Sequence, residues 1–321
     1  MRLIRDWSEL PTDHAPGALT IGNFDGVHRG HARILQRLVQ RARLLSGPAI
    51  VFTFDPHPVR ILRPSLAPPP LTWTDRKTEL LADQGVDWVI SYPTDEGLLS
   101  LTPERFFQQI VVERLDARVM IEGPNFFFGK GRSGDIGVLR QLCEQASVEL
   151  EIVAPLVVGD QFISSSRVRN LIENGDLDTA CALLTHPYRI RGMVTHGAGR
   201  GARIGFPTAN LAAVDTLLPG AGVYAGRAFA EGKTWCAAIH VGPNPTFQEQ
   251  VLKVEVHLID YHGSLYGATM EVDFLTRLRD IHPFKSVDEL KLQLAHDVTR
   301  AVEFVTDWDA RELANPPDRS A

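Results

Sequence analysis

An α/β domain built on a parallel sheet, followed by an antiparallel β-barrel with a terminal helix, is the fold that the 321-residue sequence predicts. Three observations carry that expectation. Up to about residue 184, short β-rich runs alternate with helical patterns, as in a parallel sheet covered by helices on both faces. From residue 188 onward, short strand-like runs are separated by Gly- and Pro-rich turns, which suits an antiparallel barrel. Last comes "SVDELKLQLAHDVTRAVEFV", one helix with Ser286 as N-cap and Glu289 three residues on.

Taken in order, "ALTIGN" and "AIVFTF" are strands on either side of "HARILQRLVQRARLL", whose apolar positions recur at three and four residues. "DWVISY", "ARVMIEG" and "VELEIV" are further strands, with helices expected around 75–83, 102–115 and 135–146. The proline-rich "RPSLAPPPL" (63–71) breaks the alternation and reads as a mobile loop near the strand ends. "SSRVRNLIENG" and "LDTACALL" are two short helices, and the domain boundary is placed after them, near His186-Pro187, giving domains 1–186 and 187–321. In the second, "YRIRGMVTHG", "GVYAGRAFA", "TWCAAIHVG", "LKVEVHLID" and "ATMEVDFL" are the strands. The tail from about residue 308, ending "NPPDRSA", is expected to be disordered.

Composition narrows the classes of function. A net charge of -6 argues against a nucleic-acid binder, which would show a basic face, though a local cationic pocket for one nucleotide stays open. "MRLIRDWSEL" lacks the apolar run of a signal peptide, and no stretch approaches the roughly 20 apolar residues that span a bilayer, so no membrane role is expected. Cys143, Cys181 and Cys236 stand far apart without C-x-x-C spacing, as reduced thiols of a cytoplasmic protein would. No Cys/His cluster or H-E-x-x-H points to zinc.

"LTIGNFDGVHRGH" (19–31) carries the first chemistry. Its strand ends at Gly22 and a helix starts near Gly30-His31, so the loop lies where α/β sheets place ligands. Gly22, Gly26 and Gly30 let the backbone approach a ligand, and the helix N-terminus offers N–H groups to phosphate oxygens. His28 and His31 add side-chain donors suited to charge developing as pyrophosphate departs. A glycine turn with one capping histidine is the plainer alternative. "ISSSRVR" (163–169) adds three serines and two arginines at a helix start, fit either to cap a solvated basic helix or to bind phosphate.

Together the two segments resemble the motifs G-x-F-D-x-x-H-x-G-H and I-S-S-T-x-x-R of the nucleotidylyltransferase superfamily, with Ser166 in the place of the threonine. "TFDPHP" (53–58), "GPNFFFGKGRSGD" (123–135), "GFPTANL" (205–211), "VEVHLIDYHGSLYG" (254–267) and "LRDIHPFKSVDEL" (278–290) make the likeness closer. The chain resembles the prokaryotic bifunctional riboflavin kinase/FAD synthetase family from about residue 17 to about 300. The resemblance implies a Rossmann-like nucleotidylyltransferase domain that transfers AMP from ATP to FMN. It also implies a riboflavin kinase barrel. Riboflavin, FMN, FAD and ATP are then the partners and Mg2+ the cofactor, and the oligomeric state stays open.

The nucleophile of adenylyl transfer is an anionic phosphate oxygen, so positioning and charge neutralisation suffice without a general base. The implied residues are His28, His31, Ser164 and Arg167 for catalysis, and Gly22, Phe24, Asp25, Gly30, Ser165 and Arg169 for ATP. Asn125 stands where many family members have Asp, so it hydrogen-bonds rather than charges the site. Phe126 and Phe128 face flavin or adenine, or are alternate residues of a core strand end. His57, between two prolines, is a flavin or phosphate contact, or simply a turn residue.

Riboflavin phosphorylation starts from a neutral hydroxyl and calls for a base. The family motif places it at Glu255, which by pattern alone is only the polar member of an alternating strand. Thr208 and Asn210 supply neutral oxygens for Mg2+. Gly201, Gly205 and Pro207 belong to the loop expected over the ATP phosphates, and Arg279 and Phe284 are implied to hold the flavin. A flavin-sensing module without catalysis would have lost Glu255 or the histidine pair. A cytidylyltransferase would leave the second half without purpose.

Overall fold

Short runs rich in Val, Ile and Phe become the strands that the alternating pattern predicts. The computed structural model describes residues 1–11, 13, 15–244 and 249–314, which fall into two units, 1–68 with 73–164, and 69–72 with 165 onward.

The first unit holds strands β1 (Arg2–Ile4), β2 (Gly17–Ile21), β3 (Ala49–Asp55), β4 (Trp88–Pro93), β5 (Ala117–Glu122) and β6 (Glu149–Ile152). They form one parallel sheet in the order β1-β4-β3-β2-β5-β6. The helices between them are α1 (Arg29–Leu45), α2 (Pro58–Leu62), α3 (Thr74–Asp83), α4 (Glu96–Ser100), α5 (Pro103–Phe106) and α6 (Ile136–Ala146). After α5 the helix expected over 102–115 continues as a π-helical stretch, Phe107–Arg114. A two-stranded hairpin, β7 (Val157–Val158) and β8 (Gln161–Phe162), follows β6.

The central strands are apolar on both faces, because each face has its own core. Leu19, Ile50, Phe52, Ile90 and Met120 pack with Phe106, Ile110 and Leu139 on one side. Ala18, Val51, Val89 and Val119 pack with Leu35, Leu38 and Leu81 on the other. The chain runs from β2 to β3 on one side and later returns to place β5 on the other. The order therefore reverses beside β2, and the crevice beyond the ends of β2 and β5 is where such sheets hold ligands.

The second unit begins with α7 (Ser165–Glu173) and α8 (Leu177–Leu183), the two short helices expected there. Strands β9 (Tyr188–Thr195), β10 (Ala209–Ala212), β11 (Gly222–Ala230), β12 (Lys233–Asn244), β13 (Glu249–Leu258) and β14 (Thr269–Arg279) close into an antiparallel barrel, ordered β10-β13-β12-β11-β14-β9. A four-residue helix, α9 (Arg200–Arg203), sits in the glycine-rich loop between β9 and β10. The last helix is α10 (Val287–Ala314).

Three details go beyond the expectations from sequence. Helices α7 and α8 pack on the barrel: Gly220 N–H donates to Ile172 O (2.9 Å) and Thr276 Oγ1 to Asp178 Oδ2 (3.3 Å). Both helices thus belong to the second compact unit, which resumes at Ser165. The proline-rich segment 63–71 is not wholly loop, since a 3-10 turn, Pro64–Leu66, occupies part of it. Leu217 N–H also donates to Pro70 O (2.9 Å) and Arg169 Nε to Pro69 O (3.1 Å). Finally, the helix does not stop near residue 308 but runs to Ala314, with "NPPDRSA" outside the described residues.

Charge fixes that helix at both ends. Ser286 Oγ accepts from Glu289 N–H (3.1 Å) as expected, and the Glu289 carboxylate accepts from Lys285 N–H (2.9 Å). Toward the C-terminus Arg227 reaches Asp309 (3.0 Å) and Glu312 (2.8 Å), while Asp273, fully buried beneath, pairs with both Arg189 (2.5 Å) and Arg227 (3.1 Å).

Candidate active sites

Between β2 and α1 the chain turns through Phe24 (φ 48°), Gly26 (φ 81°) and Val27 (φ 32°), a backbone that only tertiary packing sustains. Phe24 and Val27 are buried and provide that packing. His28 caps α1, its Nδ1 accepting from the His31 N–H (3.2 Å). A neutral ring that accepts at Nδ1 carries its proton on Nε2, so capping sets the tautomer and leaves Nε2–H as donor. The His28 and His31 rings stack 3.6 Å apart. Burial first, then His28 and Lys77, hold the His31 ring well below its ordinary pKa, so it is neutral at pH 7. A Cβ at Gly30 would lie 3.1 Å from the His28 ring and 3.5 Å from Ile163 O, so the first residue of "ISSSRVR" borders the histidine pair. Ser164 follows it, exposed, whereas Ser165, Arg167 and Arg169 lie half-buried on α7.

Beside this loop Ile21 N–H donates to the buried Glu122 carboxyl (2.8 Å), joining the ends of β2 and β5 at the switch point. Burial pushes that carboxyl well above the carboxylate range, against the favourable Ile21 bond. An unfolded chain ionises it near its ordinary 4.5, so above that pH unfolding releases a proton and stability falls as pH rises. Glu122→Gln removes this loss: its thermal unfolding midpoint should exceed that of the unaltered protein at pH 8 and match it near pH 4. A pH-independent difference would contradict the neutral carboxyl.

In the barrel the register of the ladder assembles the second site. Asn210 on β10 stands opposite Glu255 on β13, Glu255 opposite His240 on β12, His240 opposite Val223 on β11, and Val223 opposite Arg279 on β14. Directly paired residues share a face. This transverse row therefore looks one way, opposite to the buried Val254 and Val256. All five line one cavity of about 140 Å3, with Thr208, Gly201, Phe284 and Asp297 also in its wall. Thr208 Oγ1 donates to Glu255 Oε2 (3.5 Å). His257 Nδ1 holds Pro207 O (2.7 Å), and Gly201 is needed because a Cβ there would come within 2.3 Å of Phe206 O. Burial lowers the His240 pKa, with Glu255 opposing, so a neutral imidazole stands beside the carboxylate.

Arg279 is clamped by the buried Asp297 of α10 through Nε (2.9 Å) and a second nitrogen (2.8 Å), and lies over the Phe284 ring at 5.6 Å. Asp297→Asn leaves a guanidinium without its counter-charge in a buried setting, a change that costs about 3–5 kcal/mol. The barrel should unfold at lower temperature and riboflavin phosphorylation should fall, with FAD formation from FMN retained; an unchanged midpoint would remove the clamp.

Comparison with known proteins now decides the family. The FAD synthetase family model matches residues 10–167 and the riboflavin kinase model residues 184–305. The bifunctional riboflavin kinase/FMN adenylyltransferase of Escherichia coli strain K12 is 36% identical over 306 residues, covering 95% of this chain and 98% of its own. The chain belongs to the bifunctional riboflavin kinase/FMN adenylyltransferase family. The Bacillus subtilis strain 168 member is 31% identical over 92% of this chain and 94% of its own. A crystal structure of a macrolide-efflux protein from Streptococcus pneumoniae shares the fold at a TM-score of 0.80, with 30% identity over 92% of this chain and 96% of that one. Among the described residues no helix is long and apolar enough to cross a membrane. Riboflavin kinase and FMN adenylyltransferase are thus the two activities, and both use ATP.

Within this family frame the remaining motif residues fall as follows. Asp25 is buried in the loop, and Gly22 N–H donates to Phe52 O (3.0 Å). His57 caps α2 through Nδ1, accepting from Val59 N–H (3.1 Å). Asn125 is exposed beyond β5, on the flank of the crevice, and Phe126 stacks on Phe128 at 5.4 Å. Phe128 itself is buried against Phe106, in the core. Gly205 turns at φ 93°. Sequence reasoning passed over Lys77, His240 and Asp297. Each sits in an ordinary helix or strand pattern, and only burial beside a charged partner distinguishes it.

Proposed function

We propose that residues 1–186 adenylylate FMN, with His28, His31, Ser164 and Arg167 as the residues that act on the phosphates. A phosphate oxygen of FMN attacks the α-phosphorus of ATP, and the bond to pyrophosphate breaks. The His28 Nε2–H and the His31 ring donate to the phosphate oxygens, with Ser165 and Arg169 supporting the nucleotide. Asp25, with Phe24 and Gly30, shapes the loop around it. Asn125, Phe126 and His57 receive the flavin end, and Phe128 backs Phe126 from the core.

The barrel half, residues 187–321, phosphorylates riboflavin. Glu255 takes the proton of the ribityl hydroxyl as its oxygen attacks the γ-phosphorus, and ADP leaves. The loop of Gly201, Gly205 and Pro207 covers the ATP phosphates, while Arg279 and Phe284 hold the flavin. The hydroxyl of Thr208 and the amide of Asn210 beside one carboxylate are hard oxygen donors, and they fit an ion that keeps its waters and bridges phosphates. Thr208, Asn210 and Glu255 would hold Mg2+, which supplies charge neutralisation at the phosphate oxygens.

The row Asn210–Glu255–His240–Val223–Arg279, closed into one cavity with the glycine loop, is the observation that carries this reading. A cytoplasmic setting suits its use of ATP and its three free cysteines. Purified protein given riboflavin, ATP and Mg2+ should yield FMN and then FAD on chromatography. FMN that never proceeds to FAD would remove the first site, and no FMN would remove the second.

A further inference from the structure

The transverse row of the barrel is also a ruler. Neighbouring strands lie about 4.8 Å apart, so from Glu255 on β13 the row reaches His240 on β12 after about 5 Å and Val223 on β11 after about 10 Å. Arg279 on β14 stands one strand further on. Riboflavin with its reacting hydroxyl at Glu255 and its ring toward Arg279 would lie along this row. An extended chain advances about 1.2 Å per bond, a third of the span of one extended residue. From the reacting 5′ oxygen to the ring nitrogen N10 there are six bonds, or about 7 Å. The ring therefore begins between β12 and β11, beside the apolar Val223. The imidazole of His240 then stands level with the 2′- and 3′-hydroxyls of the ribityl chain.

His240 is equipped for that contact. Its Nε2 lies 3.2 Å from Pro243 O. A carbonyl only accepts, so Nε2 carries the proton, and the neutral ring keeps Nδ1 as an acceptor. The same bond fixes the ring against the wall of the cavity that the row lines. Between Glu255 and Arg279 the row holds His240 and Val223, so His240 is its one polar member on that stretch. A hydroxyl carried into the cavity gives up water, at a cost unless it finds a partner there. We propose that His240 determines specificity for a hydroxylated side chain, its Nδ1 accepting from an inner hydroxyl of riboflavin. The inference rests on the reading that Glu255 takes the proton of the terminal hydroxyl. It extends that reading from the reacting atom to the rest of the chain, so that the barrel selects a polyol tail as well as a flavin ring.

The test compares riboflavin with a flavin whose N10 side chain is 5-hydroxypentyl, which keeps the reacting hydroxyl and lacks the inner ones. Phosphorylation of each by the full-length protein is followed with ATP and Mg2+. The unaltered protein should favour riboflavin by about 10–100-fold in kcat/KM, the effect of leaving a buried polar group unpaired. His240→Leu should abolish that preference, with the loss falling on riboflavin. His240→Gln, whose amide oxygen still accepts, should keep it. Equal kcat/KM for the two compounds in the unaltered protein overturns the proposal. So does an undiminished preference in His240→Leu, or a lost one in His240→Gln. Should His240→Leu not fold, the other two comparisons decide. Failure of the unaltered protein to phosphorylate either compound would instead defeat the underlying reading of the barrel site.

Discussion

Glu255→Gln should lose riboflavin phosphorylation by about 10²–10⁴ while FAD formation from supplied FMN continues. The amide keeps the size of the side chain and an oxygen for the Thr208 hydroxyl, 3.5 Å away, so the cavity wall is preserved. What it lacks is the basicity to take a proton from a neutral hydroxyl. Since Asn210 faces Glu255 across the ladder, the substitution also tests the donor set expected for Mg2+. A lost base lowers kcat at saturating Mg2+, whereas a lost ligand is recovered by raising it. Unchanged FMN formation would exclude Glu255 from proton transfer.

His28→Ala should reverse the pattern, cutting FAD formation by about 10²–10³ with FMN formation intact. Alanine also removes the cap of α1, worth about 0.5–2 kcal/mol, and a frayed helix start would blur the result. His28→Asn separates the two effects, because asparagine is a strong N-cap yet cannot place a donor where Nε2 stands. Loss of FAD formation in His28→Asn at a wild-type unfolding temperature assigns the loss to phosphate binding. Recovery of activity in His28→Asn would mean that the histidine serves only the helix.

Both candidate sites could be proposed from the sequence because their residues come in dense local motifs whose types match the chemistry. The strands and most helices were legible from periodicity, since each had an apolar core to face. What escaped were features set by distant neighbours. β1 is three residues long, and β10 is four residues starting within "GFPTANL", too short for any alternation to register. The true relation of α7 and α8 to the barrel depends on bonds such as Gly220 to Ile172, across 48 residues of chain. Lys77 reads as one more polar residue in "TDRKTELLAD", and His240 as one more member of an alternating strand. Glu255 would have been passed over in the same way without its motif.

The row across the barrel has a bearing on how such a chain can vary over generations. Its five members come from five strands, and their alignment is set by backbone pairing rather than by contacts among the side chains. Replacing one member alters one function and leaves the others in place. Adding or deleting a single residue inside β13, by contrast, would turn Glu255 to the far face and bring Val254 or Val256 into the cavity. Descendants are therefore free to drift in side chains and in loop length, while strand length between these positions is under the tightest constraint in the barrel. Insertions tolerated within the strands should come in pairs or at bulges, and those in the loops without restriction of parity.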